Sequence, residues 1–133
     1  MYLYTDGGSR GNPGPSGIGV IILDSRHKKV KEIFSYIGEA TNNVAEYRAM
    51  IAGLEAALEL KATELIIHTD SELMMRQLNG EYRVKDANMK ILFDRSLALL
   101  KRLDSFEIRH IVRAKNREAD KLVNKAINLA DMF

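Results

Sequence analysis

The hydrophobic period of this chain changes once, near residue 40, and that change limits the folds open to it. Before it, apolar residues come in short runs bounded by turn residues; from Val44 onward they recur at intervals of three and four. Residues 2–6, 17–23 and 30–37 are predicted strands. On the first, Tyr2, Tyr4 and Asp6 share one face, and Leu3 and Thr5 the other. The connections GGSRGNPGPSG and DSRHKK are too short to hold crossover helices, so the three strands should form an antiparallel meander. Val44, Tyr47, Ile51, Leu54 and Leu58 then predict a helix over 43–60. ELIIHT at 64–69 is a nearly continuous apolar run, as expected for a strand inside a sheet.

The remaining elements are a short helix at 71–78, a longer one at 87–102, a strand at 106–112 and a last helix at 117–131. Met89, Leu92, Phe93, Leu97 and Leu100 mark the inner side of the helix at 87–102, and Leu122, Ala126, Ile127 and Ala130 that of the last. The order βββ-α-β-α-α-β-α calls for an α/β fold with one mixed five-stranded sheet and helices on its faces. The 133 residues suit a single domain spanning 1–133. Ligands of such sheets gather beyond the carboxyl ends of the parallel strands.

Several chemistries drop out. The chain has no cysteine, which excludes disulfides, thiolate metal sites and cysteine nucleophiles. It has no GxSxG, no P-loop spacing and no GxGxxG. His27, His68 and His110 show no metal-ligand spacing, and the last two read as structural. No apolar run approaches the roughly 18 residues of a membrane span, and the opening residues lack an export signal, so a cytoplasmic protein is expected. Without a repeat or zipper pattern, a monomer is expected. Residues 1–75 carry 7 basic and 10 acidic residues, whereas 76–125 carry 13 and 7. The second stretch is able to neutralise phosphates.

Four acids fall at informative places. Asp6 ends the first predicted strand and Asp70 the fourth; as parallel neighbours they would lie about 5 Å apart in backbone. Glu46 and Asp120 fall in the first turns of two helices, beside their apolar stripes. Each has an ordinary reading. Asp6 fits a turn, Glu46 a capping box with Asn43 as N-cap, Asp70 a helix cap, and Asp120 the favourable end of a helix dipole. Together, at converging strand ends and helix starts, they form an oxygen-rich setting for hard divalent ions such as Mg²⁺. Two such ions support phosphodiester hydrolysis.

Residues able to meet nucleic acid surround them. Gly7, Gly8, Ser9 and Asn12 lie in a glycine-rich connection through which backbone can approach a sugar–phosphate chain. Thr41 and Asn42 precede the first helix with groups for phosphate, 2′-OH or base edges. Ser71 follows Asp70, and Arg113 and Lys115 lie in the last strand–helix turn as phosphate contacts.

TDGGSRGNPGPSGIGV, TNNVAEYRAM, LIIHTDSELMMRQL and VRAKNREADKLVNKA resemble, in order, four segments of the ribonuclease H type 1 family, each with its acid in place. The resemblance implies a sheet in the order 3-2-1-4-5 with the second strand antiparallel. It implies endonucleolytic cleavage of the RNA strand of RNA–DNA hybrids with two Mg²⁺ ions, or Mn²⁺ in their place, leaving 3′-hydroxyl and 5′-phosphate ends. Asp6, Glu46, Asp70 and Asp120 would be metal ligands and catalytic residues; Gly8, Asn12 and Asn42 would meet the RNA strand, and Thr41 a DNA phosphate. NGEYRVKDAN leads straight into the next helix, so the chain would be a compact member without the basic handle helix. The loop VRAKNREAD is short, so His110 does not take over the mobile-histidine role of some members. These departures leave room for cleavage of double-stranded RNA as one alternative; a silent nucleic-acid-binding module is the other.

Overall fold

The computed structural model describes residues 1–132. Its elements are β1 (Tyr2–Ser9), β2 (Gly14–Leu23), β3 (Lys29–Ala40), α1 (Asn42–Glu59), β4 (Glu64–Thr69), α2 (Glu72–Leu78), α3 (Ala87–Leu100), β5 (Ser105–His110) and α4 (Arg117–Asp131). A 3-10 turn, Arg113–Lys115, leads into α4. They form one five-stranded sheet in the order β3-β2-β1-β4-β5. β2 runs antiparallel to β1 and β3, while β4 runs parallel to β1 and β5. This is the ribonuclease H-like topology expected.

Alternation on β1 sends Leu3 and Thr5, both fully buried, toward α1, and Tyr4 and Asp6 toward α4. The main core lies on the α1 side, where Leu3, Val20, Ile22 and Ile67 meet Tyr47, Met50 and Leu54. α3 packs on α1 and adds Leu99 and Leu100. Met89, Leu92, Phe93 and Leu97 are only partly buried against it. α4 covers the opposite face over β2, β3 and β1 through Leu122, Val123, Ala126 and Ile127; Ala130 is only half-buried.

The N-terminal hairpin departs most from expectation. β1 does not end at Asp6 but runs to Ser9, and β2 begins at Gly14, so Gly7, Gly8 and Ser9 are strand residues, not loop. They pair with Ile18, Gly17 and Ser16. Close packing explains the glycines. A Cβ at Gly7 would lie 2.2 Å from the Ala45 carbonyl carbon in α1, and one at Gly19 would lie 2.3 Å from the Ala119 carbonyl oxygen in α4. β3 likewise outruns its predicted 30–37, and α3 and β5 stop at Leu100 and His110.

Candidate active site

The site begins where two strands part. β1 pairs with β4 only as far as Thr5 and Thr69, although β1 stays paired with β2 to Ser9. Asp6 and Asp70 are the next residues on each strand, so both side chains enter the notch beyond the last parallel pair. Asp6 is thus not a strand end; it is the first residue of β1 beyond the parallel pairing.

Glu46 arrives from α1. The capping-box reading fails because Thr41, not Asn43, is the N-cap: its hydroxyl accepts from the Val44 N–H at 3.2 Å. Glu46 therefore lies beyond the first turn, with no orphan amide to cap. Its Oε1 instead accepts the Gly7 N–H of β1 at 2.8 Å, a bond permitted by the missing side chain at Gly7. Carboxylate oxygens of Asp6, Glu46 and Asp70 all lie within 4.8 Å of one another. Asp120, in the first turn of α4, lines the same cleft from the other face of the sheet. It is 29% exposed and accepts from Arg113 Nη2 at 3.4 Å.

The electrostatics of the group are unfavourable without a cation. Burial, reinforced by Asp70 and then Asp120, pushes the Asp6 carboxyl up to about 8. Burial likewise pushes Glu46 well above the carboxylate range, with Asp6 and Asp70 adding to it, while the Gly7 amide opposes the shift. Arg113 offsets the rise at Asp6 only in part. Acids that repel in a shared, partly dry notch fit a divalent cation, and the all-oxygen donor set suits a hard one.

Of the other expected residues, Gly7, Gly8, Ser9, Asn42 and Arg113 line the cleft. Asn42 Oδ1 accepts the Ser9 N–H at 2.9 Å, and Asn12 Oδ1 accepts the Asn42 N–H at 3.0 Å, tying the hairpin tip to the start of α1. Thr41 and Ser71 are N-caps of α1 and α2. Lys115 faces a different cavity, between β2 and the start of α4. His68, 8% exposed, stacks on Tyr4 and lies 3.2 Å from the Leu3 carbonyl, as a structural histidine should.

Sequence reasoning passed over Arg10, Asn116 and Asn124. Asn116 is 2% exposed; its Nδ2 donates to the Thr5 carbonyl at 2.9 Å and to Asp70 Oδ2 at 3.5 Å. It precedes α4 without capping it, and its partner Thr5 lies 111 positions away. The one local hint was an asparagine at a helix start, which resembles an ordinary cap.

A sequence profile for the reverse transcriptase-like family matches residues 4–126. A bifunctional protein of Mycobacterium tuberculosis is 43% identical over 131 residues, which are 98% of this chain and 36% of that protein. The chain therefore spans about a third of that relative's length. The RNase H1 structure from the archaeon Halobacterium salinarum superimposes with a TM-score of 0.93 at 39% identity, covering 96% of both chains. LC11-RNase H1, solved in complex with an RNA/DNA hybrid, gives 0.91 at 44% identity and covers 97% of both. With likeness of this degree running through nearly the whole of both folds, the chain belongs to the ribonuclease H1 family.

Proposed function

We propose that this chain is a metal-dependent endonuclease that hydrolyses the RNA strand of RNA–DNA hybrids. The observation that carries this is the meeting of Asp6 from β1, Glu46 from α1 and Asp70 from just after β4 within 4.8 Å. The hybrid bound to the similar LC11 enzyme supports the choice of substrate.

Asp6, Glu46 and Asp70 would hold the cation, Mg²⁺ or in its place Mn²⁺, with Asp120 completing the set for a second. Bound divalent ions supply the positive charge that activates water and stabilises the leaving oxygen of a phosphodiester, giving 3′-hydroxyl and 5′-phosphate ends. The chain's own residues fix the geometry. The Gly7 amide holds Glu46, and Asn116 ties Asp70 to the end of the β1–β4 pairing. Asp120, partly exposed beside Arg113, lines the α4 side of the cleft. Asn12 and Asn42 use their carbonyl oxygens internally, which leaves their NH₂ groups as donors for ribose 2′-OH groups of the RNA strand.

Matched RNA–DNA, RNA–RNA and DNA–DNA duplexes, each in Mg²⁺ and in Mn²⁺, test the reading. The hybrid alone should be cut, in its RNA strand, and Asp70→Asn should lose about 10³-fold or more in rate while keeping its fold. Equal cutting of double-stranded RNA would replace the substrate, and full activity of Asp70→Asn would overturn the mechanism.

A further inference from the structure

The acidic cleft does not end at its acids. It continues between the tip of the β1–β2 hairpin and α4, where Arg10 and Asn124 face one another across it. Arg10 and Arg113 are the two cations among its lining residues. Arg113 reaches Asp120, and its charge acts on Asp6. Arg10 instead points along the cleft: its Nη2 donates to Asn124 Oδ1 at 3.2 Å, and its Nη1 lies 3.6 Å from Asp131.

The backbone beneath Arg10 is fixed on both sides. Its N–H donates to the Pro15 carbonyl at 2.8 Å, and a Cβ at Gly14 would lie 2.1 Å from its own carbonyl oxygen. Neighbouring Ser9 is bonded to Asn42. The side chain, in contrast, is not consumed. Its contact with Asp131 joins two exposed groups, 41% and 63%, and such pairs contribute little. Asn124 is bound to the Asp120 carbonyl at 3.1 Å, one helical turn along α4. The guanidinium, held between Asn124 and Asp131, therefore stands at least one turn, more than about 5 Å, beyond Asp120 along the axis of α4. A strand with one phosphate at the acids would bring an adjoining phosphate past this fork, and a planar guanidinium matches a phosphate's paired oxygens.

We infer that Arg10, steered by Asn124, is a phosphate contact for the strand being cut, on the α4 side of the cleft. The inference rests on the hybrid-cleaving function proposed above. It adds a binding and positioning residue to that reading, opposite the Asn12–Asn42 rim.

The experiment compares wild type, Arg10→Ala, Arg10→Lys and Asp131→Asn. It uses a long hybrid and hybrids truncated on either side of the cut, with binding followed over a range of salt. Arg10→Ala should raise KM about 5- to 10-fold with kcat changed less than 2-fold, and should lower the salt slope of binding by about one. Arg10→Lys should recover the salt slope but only part of the KM. Asp131→Asn, which frees the guanidinium, should tighten binding about 2-fold. The Arg10→Ala penalty should vanish on the hybrid truncated on one side of the cut and persist on the other. A folded Arg10→Ala with unchanged KM and salt slope overturns the assignment while leaving the proposed function standing. A wild type that binds hybrid through Arg10 but never cuts it overturns the function and keeps the contact. A wild type that does not bind hybrid overturns both.

Discussion

Glu46 and Asp120 reach one cleft from opposite faces of the sheet, yet they are held in opposite ways. Glu46 is 8% exposed, bonded to the backbone of β1, and forced upward in pKa by burial. Asp120 has a side chain 29% exposed, and it meets the Asp6 carboxyl and a guanidinium that is itself 79% exposed. One carboxylate is built into the packing of α1 against β1; the other is a surface residue that leans into the cleft. The contrast teaches that the site combines a preorganised side with a yielding one. A fixed ligand costs no reordering when a cation binds, and a yielding one adjusts as bonds to phosphorus change.

Exchanging each acid for its amide is the strongest way to break this comparison. Glu46→Gln should lower kcat about 10³-fold, and Asp120→Asn about 10- to 10²-fold, with Mn²⁺ recovering more of the second loss. Equal losses at both positions would erase the distinction. The basis of Glu46's rigidity can be attacked next, from the strand. Gly7→Ala places a methyl against the α1 backbone and should cost about 3 kcal/mol in urea unfolding, with activity falling alongside. A fully stable Gly7→Ala would show that α1 has room to move and that Glu46 is not fixed as described. Asp70 can be loosened in turn: Asn116→Ala removes the bond to Thr5 and the tie to Asp70; about 1–2 kcal/mol of stability should go, with KM for Mg²⁺ rising.

A pH series sharpens the electrostatic half. Asp6 binds its proton more tightly in the folded than in the unfolded chain, at about 8 against 3.8. In that window the folded state carries more protons, so raising the pH lowers stability. Metal-free protein should therefore lose Tm between about pH 5 and pH 8, and Mg²⁺ should raise Tm more at pH 8 than at pH 5. A metal-free Tm that climbs over this range would contradict the crowding of acids.

What the sequence disclosed follows from where its signals lie. The apolar periods of α1 and α4 and the run ELIIHT are local, and they placed those elements, whereas the strand order followed from the family resemblance. The glycine-rich stretch misled, because glycine signals a turn locally, whereas Gly7 makes room for a helix packed on the sheet from elsewhere in the chain. Glu46 admitted a capping reading beside the metal-ligand one, because a three-residue spacing from Asn43 looks the same whether or not Thr41 has already taken the amide. Asp6 and Asp70 were legible as neighbours because both follow strand patterns. Asn116 was not, because nothing near it in sequence announces a partner on β1. Lys115 was grouped with Arg113 by adjacency, but the 3-10 turn sends the two toward different cavities.

The bond from Asn116 to Thr5 also bears on the order of assembly. It joins the first strand of the domain to the start of its last helix, 111 positions on, and Asp120 lies on that same helix. During synthesis, the hairpin, α1 and β4 can dock long before this helix leaves the ribosome. The nascent chain would then carry three acids with Asp70 untethered and the fourth missing. Closing so long a loop comes late and only once, so competence to cut should switch on with the final segment rather than build up gradually along the chain.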